Sequence, residues 1–121
     1  MASPQPVAAL LTRLRADPGR PRVTWYSEDE RVELSGHVLD NWVSKTTNLL
    51  VEELDVGPGS TVLVDLPGHW LAVVWWLAVL RSGACLTVAS GPDDSPDVVV
   101  TTEPAAWPGA PELVVVTLPA L

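Results

Sequence analysis

The stretch of residues 54–88 constrains the fold most, because its pattern predicts a turn, a buried strand, an apolar helix and a second strand. Residues 61–66 form a short β-branched run without clean alternation, which is typical of a strand covered on both faces. A helix is predicted to follow Pro67 and to end at Ser82-Gly83. Residues 85–88 form the return strand. Together these signals predict two parallel strands joined by a helical crossover.

The residues before this unit predict two helices and a hairpin. The first helix is predicted over residues 6–15, and residues 23–26 and 32–34 flank a charged tip, which is typical of a β-hairpin. Ser35 is predicted to cap a long amphipathic helix. The predicted apolar stripe of that helix comprises Val38, Leu39, Trp42, Val43, Leu49, Leu50 and Leu54, and its predicted solvent-facing residues are Asp40, Asn41, Lys45, Asn48 and Glu52.

The last third of the chain predicts two more strands. Residues 89–97 are polar and interrupted by proline, so they cannot form the helical crossover that usually joins parallel strands. Strands are predicted at 97–101 and 112–118, with a loop over 104–111 between them. The predicted fold class is therefore α/β, with an N-terminal helix, a β-hairpin, a long amphipathic helix and a βαβ-containing, largely parallel sheet. A single domain over residues 1–121 is expected for a chain of 121 residues.

Several short motifs follow one another in an order that is more specific than the α/β fold class. They are Val56-Gly57-Pro58-Gly59 before the strand, Leu66-Pro67 after it, Ala78-Val79-Leu80-Arg81-Ser82-Gly83-Ala84 at the helix end, and the upstream Arg31-Val32-Glu33-Leu34-Ser35 followed by Leu39. This set resembles the N-terminal pattern of the adenylate-forming (AMP-binding) superfamily, which holds acyl-CoA synthetases, luciferases and the adenylation domains of peptide synthetases. Residues 21–101 carry the resemblance, and residues 102–121 add a loop and a terminal strand. The resemblance implies a partial N-terminal subdomain of an acyl-CoA synthetase-like fold.

The strings that carry catalysis in that superfamily do not occur between Met1 and Leu121. They are a Ser/Thr/Gly-rich loop ending in Pro-Lys, a Tyr-Gly-x-Thr-Glu segment, a downstream Asp and a C-terminal lysine. Lys45 is predicted on the polar face of a helix and does not match the catalytic lysine. The resemblance implies ATP, Mg²⁺ and CoA for a full-length member, whereas this chain alone is predicted to bind no cofactor, to have no catalytic residue and to be inactive.

One set of polar residues is predicted to bind a ligand on physical grounds. It comprises Asp65, His69, Ser90 and Gly91. Asp65 is predicted near the carboxyl end of a strand and His69 near the N-terminus of the next helix, and open parallel sheets bind ligands in the crevice between such ends. The resemblance adds that the Ser90-Gly91 loop corresponds to one that lines a thiol-substrate channel. In the alternative interpretation, Asp65 accepts local backbone hydrogen bonds and His69 is an exposed residue at the helix start.

Composition argues against several classes of function. A net charge of −8, with Lys45 as the only lysine, argues against nucleic-acid binding. The apolar run 70–80 is about half the ~20 residues of a membrane span, and no signal peptide is recognised, so a cytoplasmic location is predicted.

Cys85, the sole cysteine, is predicted to be a small core residue. No metal site is predicted, because His37 and His69 lie far apart in sequence without other ligands nearby.

Six tryptophans in so short a chain predict both a core and an interface. Trp42 and at least one of Trp75 and Trp76 are expected in the core, but adjacent helical residues cannot both face the same sheet. The apolar surface left over predicts a homodimer, or a contact with missing C-terminal domains.

Three interpretations of the chain remain open at this point. The first is the N-terminal portion of an acyl-CoA synthetase-like protein, an AMP-forming acid–thiol ligase. The second is a stand-alone, non-catalytic binding or assembly module derived from that superfamily. The third is an unrelated small α/β domain. The first two differ in whether the coding frame continues past Leu121 into a phosphate loop, and the third predicts a different strand order.

Overall fold

The computed structural model describes residues 7–88 and 95–118. In chain order its helices and strands are α1 (Val7–Ala16), β1 (Pro21–Tyr26), β2 (Arg31–Ser35), α2 (Gly36–Asn48), β3 (Thr61–Asp65), α3 (Trp70–Arg81), β4 (Cys85–Thr87), β5 (Val98–Thr101) and β6 (Glu112–Val115). A π-helical segment, Leu49–Glu53, continues α2, and a 3₁₀ turn, Pro104–Ala106, lies between β5 and β6. The predicted α/β class is confirmed. The last strand ends at Val115 rather than at Leu118, and most of the polar connection 89–97 lies outside the described residues.

Four strands form one parallel sheet in the order β4-β3-β5-β6. The predicted pair of parallel strands is β3 and β4, in which Thr61 lies opposite Cys85, and α3 is their crossover. The chain then returns to the other side of β3, where Asp65 lies opposite Thr101 on β5. The predicted hairpin is also confirmed, since β1 and β2 pair antiparallel in a separate sheet of two strands.

The main core lies between the sheet and the helices α1, α2 and α3. Alternate residues of β3 and β5 point into it, including Val62 and Val100, which are inaccessible to solvent. From α3 the buried Val74, Trp75 and Ala78 pack against the same face. Complete burial of a valine or leucine side chain contributes about 1.5–3 kcal/mol, so this layer supplies much of the stability and holds the ends of β3 and β5 in place.

The opposite face of the sheet is covered in part by a loop instead of by helices. Leu63, Val99 and Thr101 point to this face and are nevertheless fully buried. Among the described residues, the segment 104–111 covers part of it, because Trp107 and Val99 line the same cavity of about 500 Å³. A loop therefore takes the place that a crossover helix takes in doubly wound sheets.

The start of α2 is held by hydrogen bonds to the loop between α1 and β1. Ser35 caps the helix as predicted, because its side chain accepts a hydrogen bond of 3.2 Å from the N–H of Val38. The N–H of Gly36 donates to the carbonyl of Arg20 at 3.0 Å, and that of His37 donates to Pro18 at 2.9 Å. The loop between α1 and β1 therefore satisfies N–H groups that a helix start leaves unpaired.

Part of the predicted stripe of α2 is wrong. Leu39, Val43 and Leu50 are buried, but Val38, Trp42 and Leu49 keep about two fifths of their surface exposed (38%, 40% and 40%). The helix packs mainly against α3, α1 and the hairpin, and these elements leave part of the apolar stripe uncovered. Of the other tryptophans considered for the core, Trp75 is buried and Trp76 is exposed, as expected for adjacent helical positions.

Two further expectations about burial are wrong. Asp40 was expected to face water, but it is buried and its carboxylate pairs with Arg15 of α1 at 3.3 Å. Cys85 was expected in the core, but it is exposed. Because Cys85 lies opposite Thr61 on an edge strand, its side chain points to the face away from α3. Neither result follows from local sequence, since both depend on which element packs beside the residue.

Candidate functional site

The candidate site lies where the strand order of the sheet reverses. From β3 the chain crosses to β4 on one side, and β5 lies on the other side, so a crevice opens between the carboxyl ends of β3 and β5. Ligands of open α/β sheets bind in such crevices. Asp65 ends β3 and Thr101 ends β5, and the two are register partners.

The carboxylate of Asp65 is held by two side chains that are distant in sequence. Its Oδ2 accepts a hydrogen bond of 2.9 Å from Thr101 Oγ1 and one of 3.0 Å from Trp107 Nε1. Thr101 is completely buried, and its hydroxyl oxygen also accepts from the N–H of Glu103 at 2.9 Å. The alternative interpretation expected local backbone donors to Asp65, whereas the donors are the side chains of Thr101 and Trp107. These two bonds fix the position of the carboxylate at the end of β3.

A groove of about 260 Å³ lies directly at this carboxylate. Its walls are formed by Asp65, Leu66, Pro67, Thr102 and Glu103. Two carboxyl groups in one small groove favour ligands that donate hydrogen bonds, such as hydroxyl or ammonium groups. Among the described residues, the lining contains neither histidine, cysteine nor lysine, so those residues supply no nucleophile paired with a base.

His69 lies outside that lining and has a structural role. It is buried, and its Nδ1 accepts a hydrogen bond of 3.0 Å from the N–H of Leu71, which caps α3. An accepting Nδ1 places the proton of the neutral ring on Nε2. The imidazole is 4.5 Å from the Trp25 ring and 5.3 Å from the Trp70 ring, measured between centroids. The position at the helix start was predicted correctly, but the expected exposure of His69 is wrong.

The structure therefore brings together only part of the predicted set. Asp65 lines the groove and His69 does not, while Ser90 and Gly91 lie outside the described residues. Sequence reasoning missed Thr101, Trp107 and Glu103. A lone tryptophan among alanine, proline and glycine was the available signal for Trp107, because an aromatic side chain in such a loop usually anchors it to the body of the protein.

Within residues 7–88 and 95–118, no three side chains of histidine, cysteine, aspartate or glutamate lie close enough together to hold a metal ion. In the same part of the chain, none of the helices has the length and apolar character needed to cross a bilayer.

Comparison with known proteins places the fold. The structure resembles part of the crystal structure of a fatty acid AMP ligase from Legionella pneumophila, with a TM-score of 0.66 and 15% identity, over 78% of this chain and 19% of the ligase chain. At that identity the likeness establishes the fold alone. The fold class that the resemblance implies is therefore confirmed.

A second comparison concerns sequence. A Mycobacterium tuberculosis (strain ATCC 25618 / H37Rv) protein, described as a "TIGR03089 family protein", is 49% identical in an alignment of 77 residues that covers 58% of this chain. The match covers 32% of that relative, so the chain spans about a third of the length of the curated protein that it matches. No protein-family model matches the sequence.

Proposed function

We propose that the chain is the N-terminal portion of an acyl-CoA synthetase-like protein, an AMP-forming acid–thiol ligase, and that it is inactive alone. The observation that carries the proposal is the fold shared with part of a fatty acid AMP ligase. The ordered motifs over residues 21–101 support it independently, because they come from the sequence rather than from the shape. In the proposed protein, ATP, Mg²⁺ and CoA bind only when later segments complete the site.

The arrangement of charges supports inactivity of the chain alone. Adenylation of a carboxylate needs cationic groups that neutralise the charge developing on the transferred phosphate. The only lysine, Lys45, lines grooves beside α2 and is absent from the lining of the groove at Asp65. That groove presents carboxylates instead, and these repel polyphosphate.

Pyrophosphate release tests this proposal. The purified 121-residue chain, given ATP, Mg²⁺ and a fatty or aromatic acid, is expected to release no pyrophosphate above a reaction without acid. A polypeptide that extends along the natural coding frame through the phosphate loop and the other catalytic segments, including the C-terminal lysine, is expected to release it. Acid-dependent release by the 121-residue chain contradicts the proposed inactivity. The intact mass of the natively expressed protein shows which of the two polypeptides the cell makes.

We also propose that Asp65 contacts a ligand in the longer protein, through the groove that it lines with Glu103. Asp65→Asn keeps the shape and removes the charge. It is expected to weaken binding of adenosine, an uncharged ligand whose hydroxyl groups donate hydrogen bonds, to the longer polypeptide, measured by calorimetry. Asp97→Asn is a control outside the groove. Equal adenosine affinity in the wild type and the Asp65→Asn variant excludes the contact.

A second candidate function is a stand-alone, non-catalytic binding or assembly module, located in the cytoplasm, that forms a homodimer. The observation that favours it is the group of exposed apolar side chains near one edge of the sheet, in particular Trp42, Leu49 and Val115. Exposed apolar patches of this kind mark interaction sites. This candidate requires that the native protein ends without the phosphate loop, which the intact mass decides.

A further inference from the structure

The hairpin is docked on the start of α3 through a buried histidine. The Trp25 ring of β1 lies 4.5 Å from the imidazole of His69, measured between centroids, and Trp25 Nε1 donates to the carbonyl of Gly68 at 3.0 Å. The ring of Trp70 lies 5.3 Å from the same imidazole. Only 8% of the surface of His69 is exposed. The contact between the hairpin and α3 therefore includes a titratable group that is shielded from water.

The same imidazole caps α3 in a way that only its neutral form allows. Nδ1 accepts the hydrogen bond of 3.0 Å from the N–H of Leu71. An accepting Nδ1 carries no proton, whereas both nitrogens of a charged imidazole are donors. In the charged ring, the Nδ1 proton and the N–H of Leu71 would point at each other. The ring therefore has to leave the cap in order to take up a proton.

No described carboxylate pairs with His69. In residues 7–88 and 95–118, the first turn of α3 holds no acidic residue, and Asp65, the acid closest in sequence, is bound to Thr101 and Trp107. The ionisable side chains of the hairpin, its tip and α2 make neither an ion pair nor a hydrogen bond with the imidazole; they are Arg22, Tyr26, Glu28, Asp29, Glu30, Arg31, Glu33, His37, Asp40 and Lys45. A positive charge on the ring stands at a helix N-terminus, where the helix dipole opposes it.

The neighbouring indole rings attract a cation but do not restore the cap. The faces of tryptophan attract positive charge, and the planes of Trp25 and Trp70 are tilted by 50° and 34° against the imidazole. That attraction acts on the ring as a whole. The added proton meets the N–H of Leu71 at Nδ1, and there the acceptor is lost whatever the indoles contribute.

We propose that His69 is a pH-sensitive switch: its neutral ring holds the hairpin on the start of α3, and protonation of Nδ1 releases the cap and loosens the hairpin. The switch goes beyond the proposed ligase function and does not depend on it. A histidine in an unfolded chain takes up a proton below about pH 6.5, whereas the capped fold excludes that proton. Because the unfolded state then binds more protons, the free energy of unfolding falls as the solution is acidified.

Urea denaturation of the 121-residue chain at about pH 7.5 and about pH 5 tests the proposal, with His69→Asn as the matched variant. Asparagine supplies an N-cap acceptor that does not titrate. Acidification is expected to raise the unfolding equilibrium constant of the wild type about tenfold more than that of His69→Asn. The carboxylates are the same in both proteins, so their protonation contributes to both. His37→Asn, at an exposed position, is the control and should keep the wild-type pH dependence.

Hydrogen exchange locates the effect in the wild type. Protection factors, which correct for the intrinsic pH dependence of exchange, are expected to fall at about pH 5 for the β1 and β2 amides and for the N–H of Leu71. They are expected to fall less for β3 and β5. In His69→Asn this difference between the elements should disappear.

Three results overturn the switch. The first is equal pH dependence of unfolding in the wild type and His69→Asn, and the second is a loss of protection in acid that is uniform over the chain. The third needs no variant: a His69 ring that nitrogen NMR shows to be charged while the N–H of Leu71 stays protected. None of these results bears on the ligase proposal, which pyrophosphate release tests.

Discussion

Thr101 and Asp65 lie side by side at the carboxyl ends of the two central strands, where Thr101 Oγ1 donates a hydrogen bond of 2.9 Å to Asp65 Oδ2. Trp107 donates to the same oxygen at 3.0 Å. The carboxylate at the crevice is thus positioned by a buried hydroxyl and by a loop indole. The groove that it lines is therefore a preformed feature of the fold.

Replacing Thr101 by valine tests how much this position stabilises the fold. Thr101→Val keeps the shape of the side chain but leaves Asp65 and the N–H of Glu103 each without one partner. A loss of about 1–3 kcal/mol in the free energy of unfolding is expected, measured by urea denaturation. Thr24→Val, at an exposed strand position, is the control. Equal losses in both variants contradict the structural role of the Thr101 hydroxyl.

The contribution of the α3 cap to stability can be tested by substituting His69, with the exposed His37 as the control. His69→Ala removes the acceptor for the N–H of Leu71 and the ring that packs on Trp25, so destabilisation of about 1–3 kcal/mol is expected. His69→Asn restores an N-cap acceptor and should recover part of that loss. His37→Ala, at an exposed position, should be nearly neutral. Thermal unfolding ranks the three variants, and a neutral His69→Ala excludes the cap as a source of stability.

Gly36 is required by a close approach between backbones. A Cβ at this position would overlap the carbonyl oxygen of Leu14 at the end of α1. Gly36→Ala is therefore expected to destabilise the protein by about 1–3 kcal/mol through overpacking. Gly19→Ala is the control, because a Cβ there meets no atom within 4 Å. Denaturant midpoints that agree between the two variants contradict the close approach.

The hairpin is attached to the start of α3 by one indole. Trp25 Nε1 donates a hydrogen bond of 3.0 Å to the carbonyl of Gly68. Trp25→Phe keeps an aromatic ring beside His69 but removes this bond, so a loss of about 0.5–1.5 kcal/mol is expected. Hydrogen exchange of the β1 and β2 amides should accelerate in the variant. Tyr26→Phe, which changes a residue that is 68% exposed, is the comparison, and the same acceleration there argues against the attachment.

Local patterns predicted the order of the elements and several of their ends. The β-branched run of β3, the apolar helix after Pro67 and the turn at Ser82-Gly83 each depend on residues close together in the chain. The cap at Ser35 is equally local, because its acceptor serves an N–H three residues away. These features followed from backbone preferences and side-chain periodicity alone.

The candidate site was predictable only in part. That Asp65 would lie near the carboxyl end of β3, at the crevice of a parallel sheet, followed from the βαβ order, although the strand was predicted to run to Leu66 and ends at Asp65. Its partner Trp107 lies 42 residues further along, in a loop without periodicity, and no local rule connects the two. The role of His69 was missed because burial at a helix start depends on the hairpin that covers it.

The sequence by itself determined which segments become helices and strands, because that choice rests on contacts within a few residues. Only the tertiary structure decided which faces those segments bury. It placed Cys85 on an edge strand with its side chain exposed, buried Asp40 beside Arg15, and left Trp42 and Leu49 half covered. Burial is set by whichever element arrives from elsewhere in the chain, and the free energy of that packing is invisible to any local pattern.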